Sequence, residues 1–525
     1  MDLESEDNKP PGSPEAARPG VKALGGRVAS GTVWLGGVTA VTRVIGIFSQ
    51  FALMWLLAPE HFGTLGLVFT ITMFATHLTY PGTDDVLLQK GDQVGRWASA
   101  GFWMSLACGL AGGLAMVLLG LTVVTIARSA GNPAYGSPVV LHMIIIYAIG
   151  APLNAMALVP YVMLRTQMRF GRLAAVQMME MLGQHTLMVL LAWWGFGAYS
   201  FAIPMPIIAL LRTGVLWLYV RPKISWRLGL HRWPHLATAT GYVLGFRLLQ
   251  TGWHHGDQIV LGTVYASKTI NGHYQSAVQL TQQIVRVLCE NLLSVLVPAL
   301  TQIRDDRPRI ERAVATACRT LSAMIIPLAT LQILLVGPVI RMAFPARWIE
   351  SIVLVELLSF GPILFAGSYP MMAMITSDGR FKAAFGMAIA NLCTFFALVI
   401  PLTVVYGARG TAAGVSAFYW IAAHFYAYTA FASFRGVRVL HLAVYRALLA
   451  AAVGAVPALA LLGQMSGTSR WAEAGKIAAV TPVMLGTYVA VMWIIDPRTV
   501  RSLYGRLMGA MGPIVRRIPV VGSRL

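Results

Sequence analysis

Charge is what this sequence has least of. Only 11% of its 525 residues are Asp, Glu, Lys or Arg, while 57% are hydrophobic; soluble domains carry about 25% charged residues. A chain this apolar cannot cover a water-facing surface, which excludes an ordinary soluble domain and points to a membrane as solvent. Cysteine is scarce as well. Cys108, Cys289, Cys318 and Cys393 all fall inside apolar runs and form no CxxC pair, so neither a disulfide framework nor a zinc site is expected. The histidines show no HExxH-type spacing, and no cofactor is expected. The alternating pattern of a membrane barrel is missing. The opening MDLESEDNKPPGSPEAARPG lacks the basic start and apolar run of a signal peptide. It is acidic and rich in Pro and Gly, and predicts a disordered cytosolic tail over 1–29. Long connectors are lacking too: the longest outer ones, around 125–137 and 337–347, are about a dozen residues. No soluble domain is inserted, which argues against a membrane glycan-assembly enzyme, because such enzymes carry catalytic residues in a sizeable loop.

What is present is a succession of apolar runs. Each is about 20 residues or longer, enough to cross a hydrocarbon core of about 30 Å, and their backbones must satisfy themselves as helices. The expected spans number about fourteen: 30–57, 62–89, 98–124, 138–163, 173–193, 198–220, 236–263, 270–302, 313–336, 348–376, 383–404, 410–433, 447–464 and 476–495. The net charge of +20 would suggest nucleic acid in a soluble protein. Here the basic residues sit mostly in short connectors, so no nucleic-acid partner is expected, and membrane lipids are. With the N-terminus inside, 28 Lys and Arg fall in cytosolic segments and 6 on the opposite side. That asymmetry predicts both termini in the cytosol. The basic tail over 496–525 is read either as lying on the anionic leaflet or as a plain stop-transfer flank.

The chain also repeats itself. Gly63 and Gly272, which open the second and eighth spans, are 209 residues apart. Arg169-Phe170 and Arg380-Phe381 are offset by 211, and Gly197-Ala198 and Gly407-Ala408 by 210. The offset covers an even number of spans, so the two halves run the same way through the membrane. The expected fold is all-α and polytopic: six-helix bundles over 30–220 and 236–433 around a central cavity, then two accessory helices over 447–495.

The stretch Gly31-Thr32-Val33-Trp34, followed by Leu56-Leu57-Ala58-Pro59-Glu60-His61-Phe62-Gly63, resembles the opening of the bacterial polysaccharide (O-antigen-type) flippase family. That family lies within the multidrug/oligosaccharidyl-lipid/polysaccharide exporter superfamily. Further similarity runs through Ser99 to Trp103, Asp257-Gln258, Gly272-His273-Tyr274 and Pro298-Ala299-Leu300 with Asp305-Asp306. It continues in Phe344-Pro345-Ala346-Arg347-Trp348 and Gly379-Arg380, covering about 30–433. Ala58 and His61 stand where the family phrase usually has Gly and Asp. The resemblance implies a substrate class, an oligosaccharide on undecaprenyl diphosphate moved from the cytosolic to the periplasmic leaflet of the inner membrane. It also implies a cationic cavity, coupling to an ion gradient and a glycan polymerase as neighbour.

Charges inside a membrane are costly and mark pathways. Arg43, Arg212, Arg247, Arg286 and Arg319 lie within the spans. Arg suits a diphosphate because its charge is permanent and its donors are forked. Arg43, Arg247 and Arg286 are the substrate-cavity candidates; Arg212 and Arg319 fit an ion pair or snorkelling better. Asp84 and Asp85 follow a Pro81-Gly82 break, and Asp257 follows Trp253-His254-His255. These three are the ion-coupling candidates, although Asp84 and Asp85 also fit pairing with Lys90 near the cytosolic end. Tyr265, Tyr274, Trp103 and Trp253 are read either as sugar-stacking residues or as interface anchors. Two other cargoes fit the same fold, a drug or ion for antiport and lipid II.

Overall fold

The computed structural model describes residues 41–79, 83–89, 93–226, 228–234, 241–285, 306–378 and 380–505, with 289, 296, 300 and 303 between them. The expected N-terminal tail, Arg286 and the end of the basic C-terminal tail lie outside the described residues.

Among the described residues the chain is helical and contains no strand. The helices are α1 (Val41–Leu56), α2 (Pro59–Thr79), α3 (Thr83–Gln89), α4 (Val94–Ser129), α5 (Pro138–Thr166), α6 (Phe170–Trp193), α7 (Tyr199–Ala202) and α8 (Pro204–Val220). They continue as α9 (Gly241–Val264), α10 (Lys268–Val285), α11 (Arg307–Ala343), α12 (Ser351–Phe365), α13 (Tyr369–Ser377), α14 (Phe381–Phe431), α15 (Phe434–Gln464) and α16 (Arg470–Ile495). Among the described residues, nine helical segments are long and apolar enough to cross a membrane. The described stretches of α6, α9 and α10 are long enough but too polar, and α1 is described only from Val41. The three polar helices all face the central cavity described below, which is where their polar residues go.

One described boundary differs from the sequence expectation, at the thirteenth span. α2 ends at Thr79 and α3 starts at Thr83, and residues 80–82 lie outside the described residues. The stretch labelled α14 is two helices, before and after Gly407, whose φ +63°, ψ −144° is not helical and separates them. The thirteenth span starts at Phe434 rather than 447, because Ser433 caps the helix by accepting from the Arg435 amide. Arg435, Arg438 and Arg446 thus ride on a helix, not in a loop.

Several hydroxyls inside the helices are satisfied locally. The hydroxyls of Thr64, Thr72, Thr76 and Ser105 donate to carbonyls four residues back at 2.7–2.9 Å. Small residues let helices close up: a Cβ on Gly109 would stand 2.7 Å from the Ala155 methyl, and one on Gly113 2.9 Å from the Ala148 carbonyl, as in membrane small-xxx-small packing.

The internal repeat has a structural counterpart. Arg169 and Arg380 precede their helices with nearly the same backbone, φ −83°, ψ 57° and φ −80°, ψ 53°. Gly197 and Gly407 share a positive φ of 56° and 63°. The repeat-related helices α2 and α10 cross at the repeat-related glycines. A Cβ on Gly63 would lie 1.8 Å from the Lys268 carbonyl oxygen, and one on Gly272 1.8 Å from that of Pro59. Lys268 and Pro59 are themselves 209 apart, so the contact is reciprocal, as at a two-fold axis.

Hydrogen bonds gather four connectors at one end of the molecule. Lys268 Nζ donates to Ser137 Oγ at 2.8 Å, and Thr269 Oγ1 to Glu60 Oε1 at 3.4 Å. The indole of Trp55 donates to the Ala343 carbonyl at 2.5 Å. Charge alternation predicts these connectors on one side. At the other end Arg307 binds Asp378 at 2.6 Å and the Ala430 carbonyl at 2.9 Å, while Arg380 binds the Thr429 carbonyl at 2.8 Å.

Candidate functional site: a cavity between the two halves

The terminal carbonyls of a helix have no partner within it. At the end of α1, those of Met54 and Trp55 are taken up from the other half of the chain. Trp348 Nε1 donates to Met54 O at 2.7 Å and Arg347 Nη2 to Trp55 O at 2.6 Å. Trp348 is fully buried and stands edge-on to Phe62 and His273 at 5.1 and 5.9 Å. His273 in turn meets Ser351 at 3.0 Å. The connector 344–350 is therefore a strap from the second half that plugs one end of the seam between the halves.

A cavity of about 500 Å³ lies between the halves. α1 and α2 contribute Arg43, Gln50 and Phe69; α6 contributes Gln177, Gln184 and His185; α9 and α10 contribute His255, Gln258, Gln275 and Gln279. With Gln282 and Gln283, eight glutamines face it among the described residues, and Arg43 is the Lys or Arg among those lining it. The stripes follow helical spacing: Arg43 and Gln50, Gln177 and Gln184, and Gln275, Gln279 and Gln282. Amides donate and accept at once, so the wall is suited to a hydroxyl-rich neutral ligand, and Arg43 supplies one forked cationic donor.

A second cavity of about 310 Å³ lies within the C-terminal half. His254, Asp257, Val278 and Gln282 line both cavities and form the wall between them. Asp257 is buried. Its Oδ2 accepts from the Tyr274 hydroxyl at 2.8 Å and its Oδ1 from the Gln258 amide N–H at 2.8 Å. Gln258 Nε2 also donates to Gln275 Oε1 at 2.6 Å. A carboxylate held between two cavities by neutral donors can take and give a proton on either side.

The candidates from sequence are placed as follows. Arg43 and Asp257 line the central cavity, from opposite halves. Arg247 sits near the start of α9 and lines neither cavity; its carbonyl accepts from Thr251, whose hydroxyl meets His77 Nε2 at 2.5 Å. Asp84 is half-buried on α3 and lines neither cavity; Asp85 is on the same helix. Arg212 pairs with Glu180 at 3.5 Å and with Asn154 at 3.3 Å, an ion pair being one of the two readings that the sequence left open for it. Trp253 lines the second cavity, and Tyr274 is buried on Asp257, so neither is an interface anchor. The glutamine stripes were missed; their spacing of three, four and seven on otherwise apolar segments is the signal that finds them.

Residues 52–353 match the family described as polysaccharide biosynthesis protein. A relative, the succinoglycan biosynthesis transport protein ExoT of Rhizobium meliloti (strain 1021), is 24% identical over 294 residues. The match covers 56% of this chain and spans 58% of that relative. Among solved structures, a lipid II flippase, MurJ, in an inward closed conformation superposes with a TM-score of 0.64 at 13% identity, over 88% of this chain and 98% of that one. An inward-facing multidrug resistance MATE family transporter gives 0.57 at 14% identity, over 76% and 95%. These two likenesses speak for the fold. The family match spans more than half of the sequence and agrees with the apolar helices, the two-fold crossing and the cavity between halves. The chain belongs to the polysaccharide biosynthesis protein family, and its fold is that of the lipid II flippase and the MATE transporter structures.

Proposed function

We propose that the protein flips an oligosaccharide carried on undecaprenyl diphosphate from the cytosolic to the periplasmic leaflet of the bacterial inner membrane, for polysaccharide export. The observation that carries this reading is the cavity between the halves, with its glutamine walls and the guanidinium of Arg43. The amides would hold sugar hydroxyls, and Arg43 the diphosphate, by charge-assisted forked hydrogen bonds. The transport unit is two bundles, 30–220 and 236–433, rocking about the Gly63–Gly272 crossing, with 447–495 as accessory helices. Both termini are cytosolic, and the strap 344–350 is the periplasmic gate. Asp257, on the wall between cavities, is the coupling carboxylate; Asp84 and Asp85, off the cavity, fit a helper role near the cytosolic end. A glycan polymerase takes the flipped unit. The role is transport rather than catalysis.

The test is lipid analysis of a deletion strain. Complete undecaprenyl-linked repeat units trapped on the cytosolic leaflet, with surface polymer lost, support the reading. Normal intermediates and normal polymer refute it in favour of antiport. Trapped lipid II identifies a different cargo, and truncated repeat units an assembly enzyme.

A further inference from the structure

The cavity inside the C-terminal half differs in chemistry from the central one. Among the described residues no Lys or Arg lines it, and none of those residues is fitted to a diphosphate. Its wall is aromatic: Trp253, Phe365, Tyr369, Phe418, Tyr419 and Tyr426. Phe365 is the hub, with the Tyr369, Tyr419 and Tyr426 rings centred 5.1, 5.2 and 5.7 Å away. Asn391 of α14 also lines this cavity. It is fully buried, and neither its Nδ2 nor its Oδ1 has a hydrogen-bond partner among the described residues. An amide left unpaired in a buried place costs stability, and native chains rarely keep one without a use.

Aromatic faces with an amide that both donates and accepts are suited to one ligand chemistry. The C–H face of a pyranose lies on a ring, and adjacent hydroxyls pair with the amide oxygen and nitrogen. The volume of about 310 Å³ is at the small end of ligand pockets, about 300–1,000 Å³, which admits one sugar ring and not an oligosaccharide. Resting on the flippase reading, we propose that this cavity is a subsite for a single neutral hexose ring of the glycan, gripped by Asn391 and the aromatic wall. The wall of His254, Asp257, Val278 and Gln282 makes it adjacent to the central cavity. The arrangement divides the substrate, with the diphosphate at Arg43 and one sugar at Asn391, and makes this subsite the place where the repeat unit is recognised.

The experiment uses the full chain in nanodiscs and a panel of methyl hexopyranosides, read by saturation-transfer NMR. At least one is expected to bind with a Kd on the order of 1 mM, the affinity that ordinary ligand efficiency gives one ring. Asn391→Leu keeps the volume and removes the unpaired amide. It is expected to weaken hexoside binding tenfold or more while the Tm rises, a combination that misfolding cannot give. Hexosides that fail to bind, or that bind Asn391→Leu equally well, overturn the proposal. So does saturation of the cavity by tetramethylammonium alone, which would make the aromatic wall a cation site. If the deletion strain traps lipid-linked units but no hexoside binds, the subsite fails and the flippase reading stands. If it traps none, the reading fails and takes the subsite with it.

Discussion

Replacing Gly272 by alanine tests the seam directly. The added methyl would stand 1.8 Å from the Pro59 carbonyl oxygen and 2.4 Å from its carbon. Both are backbone atoms, so no side chain can turn aside and α2 and α10 must separate. Overpacking of this kind costs about 1–3 kcal/mol, charged to the state in which the helices touch. A penalty of that size shifts a two-state population about 5- to 150-fold. Ser351, beside the crossing, is fully buried and bonded to His273, so a cysteine there reports separation. In intact cells carrying S351C, Gly272→Ala is expected to raise labelling by an impermeant maleimide by about that factor, with Gly63→Ala doing the same. The double variant should be less than additive, because once the first methyl has parted the helices the second meets nothing. Equal labelling in all four chains, or strict additivity, would refute a crossing shared by the two glycines.

Arg43→Ala should cut glycan export about 10- to 100-fold at unchanged protein level, the weight of hydrogen bonds to a charged group, with Arg43→Lys intermediate; surface polymer and immunoblot measure it. Arg347→Ala removes the guanidinium from the Trp55 carbonyl and should also raise S351C labelling, though less than Gly272→Ala, since Trp348 still holds Met54. In the half-buried pair of Arg212 with Glu180, Glu180→Gln or Arg212→Met alone should lower the Tm, and both together should restore most of it. Burial raises the Asp496 carboxyl, but bonds from Thr499 and Arg446 outweigh it and hold it below the usual range. Its stabilisation is present above the unfolded pKa and lost as pH falls through the lowered folded one. The Tm gap between the natural chain and Asp496→Asn should stay constant near neutrality and close only in acid.

The sequence by itself determined the solvent, the helical class and the order of the elements. These depend on hydropathy and on where Lys and Arg stop, quantities that belong to each residue and are read along the chain. It also showed the repeat, since Gly63, Gly272, Gly197 and Gly407 are needed for backbone reasons that leave little choice of residue. It could not tell which way a buried charge faces. Arg43 and Arg247 looked alike, yet only Arg43 reaches the cavity, because the direction of a side chain depends on how its helix is rotated against neighbours far away in sequence. The partner of Arg212, the strap that lays Arg347 and Trp348 on Met54 and Trp55, and the unpaired amide of Asn391 are likewise products of packing. Each joins or isolates residues on different helices, and only the tertiary structure decides which helices meet.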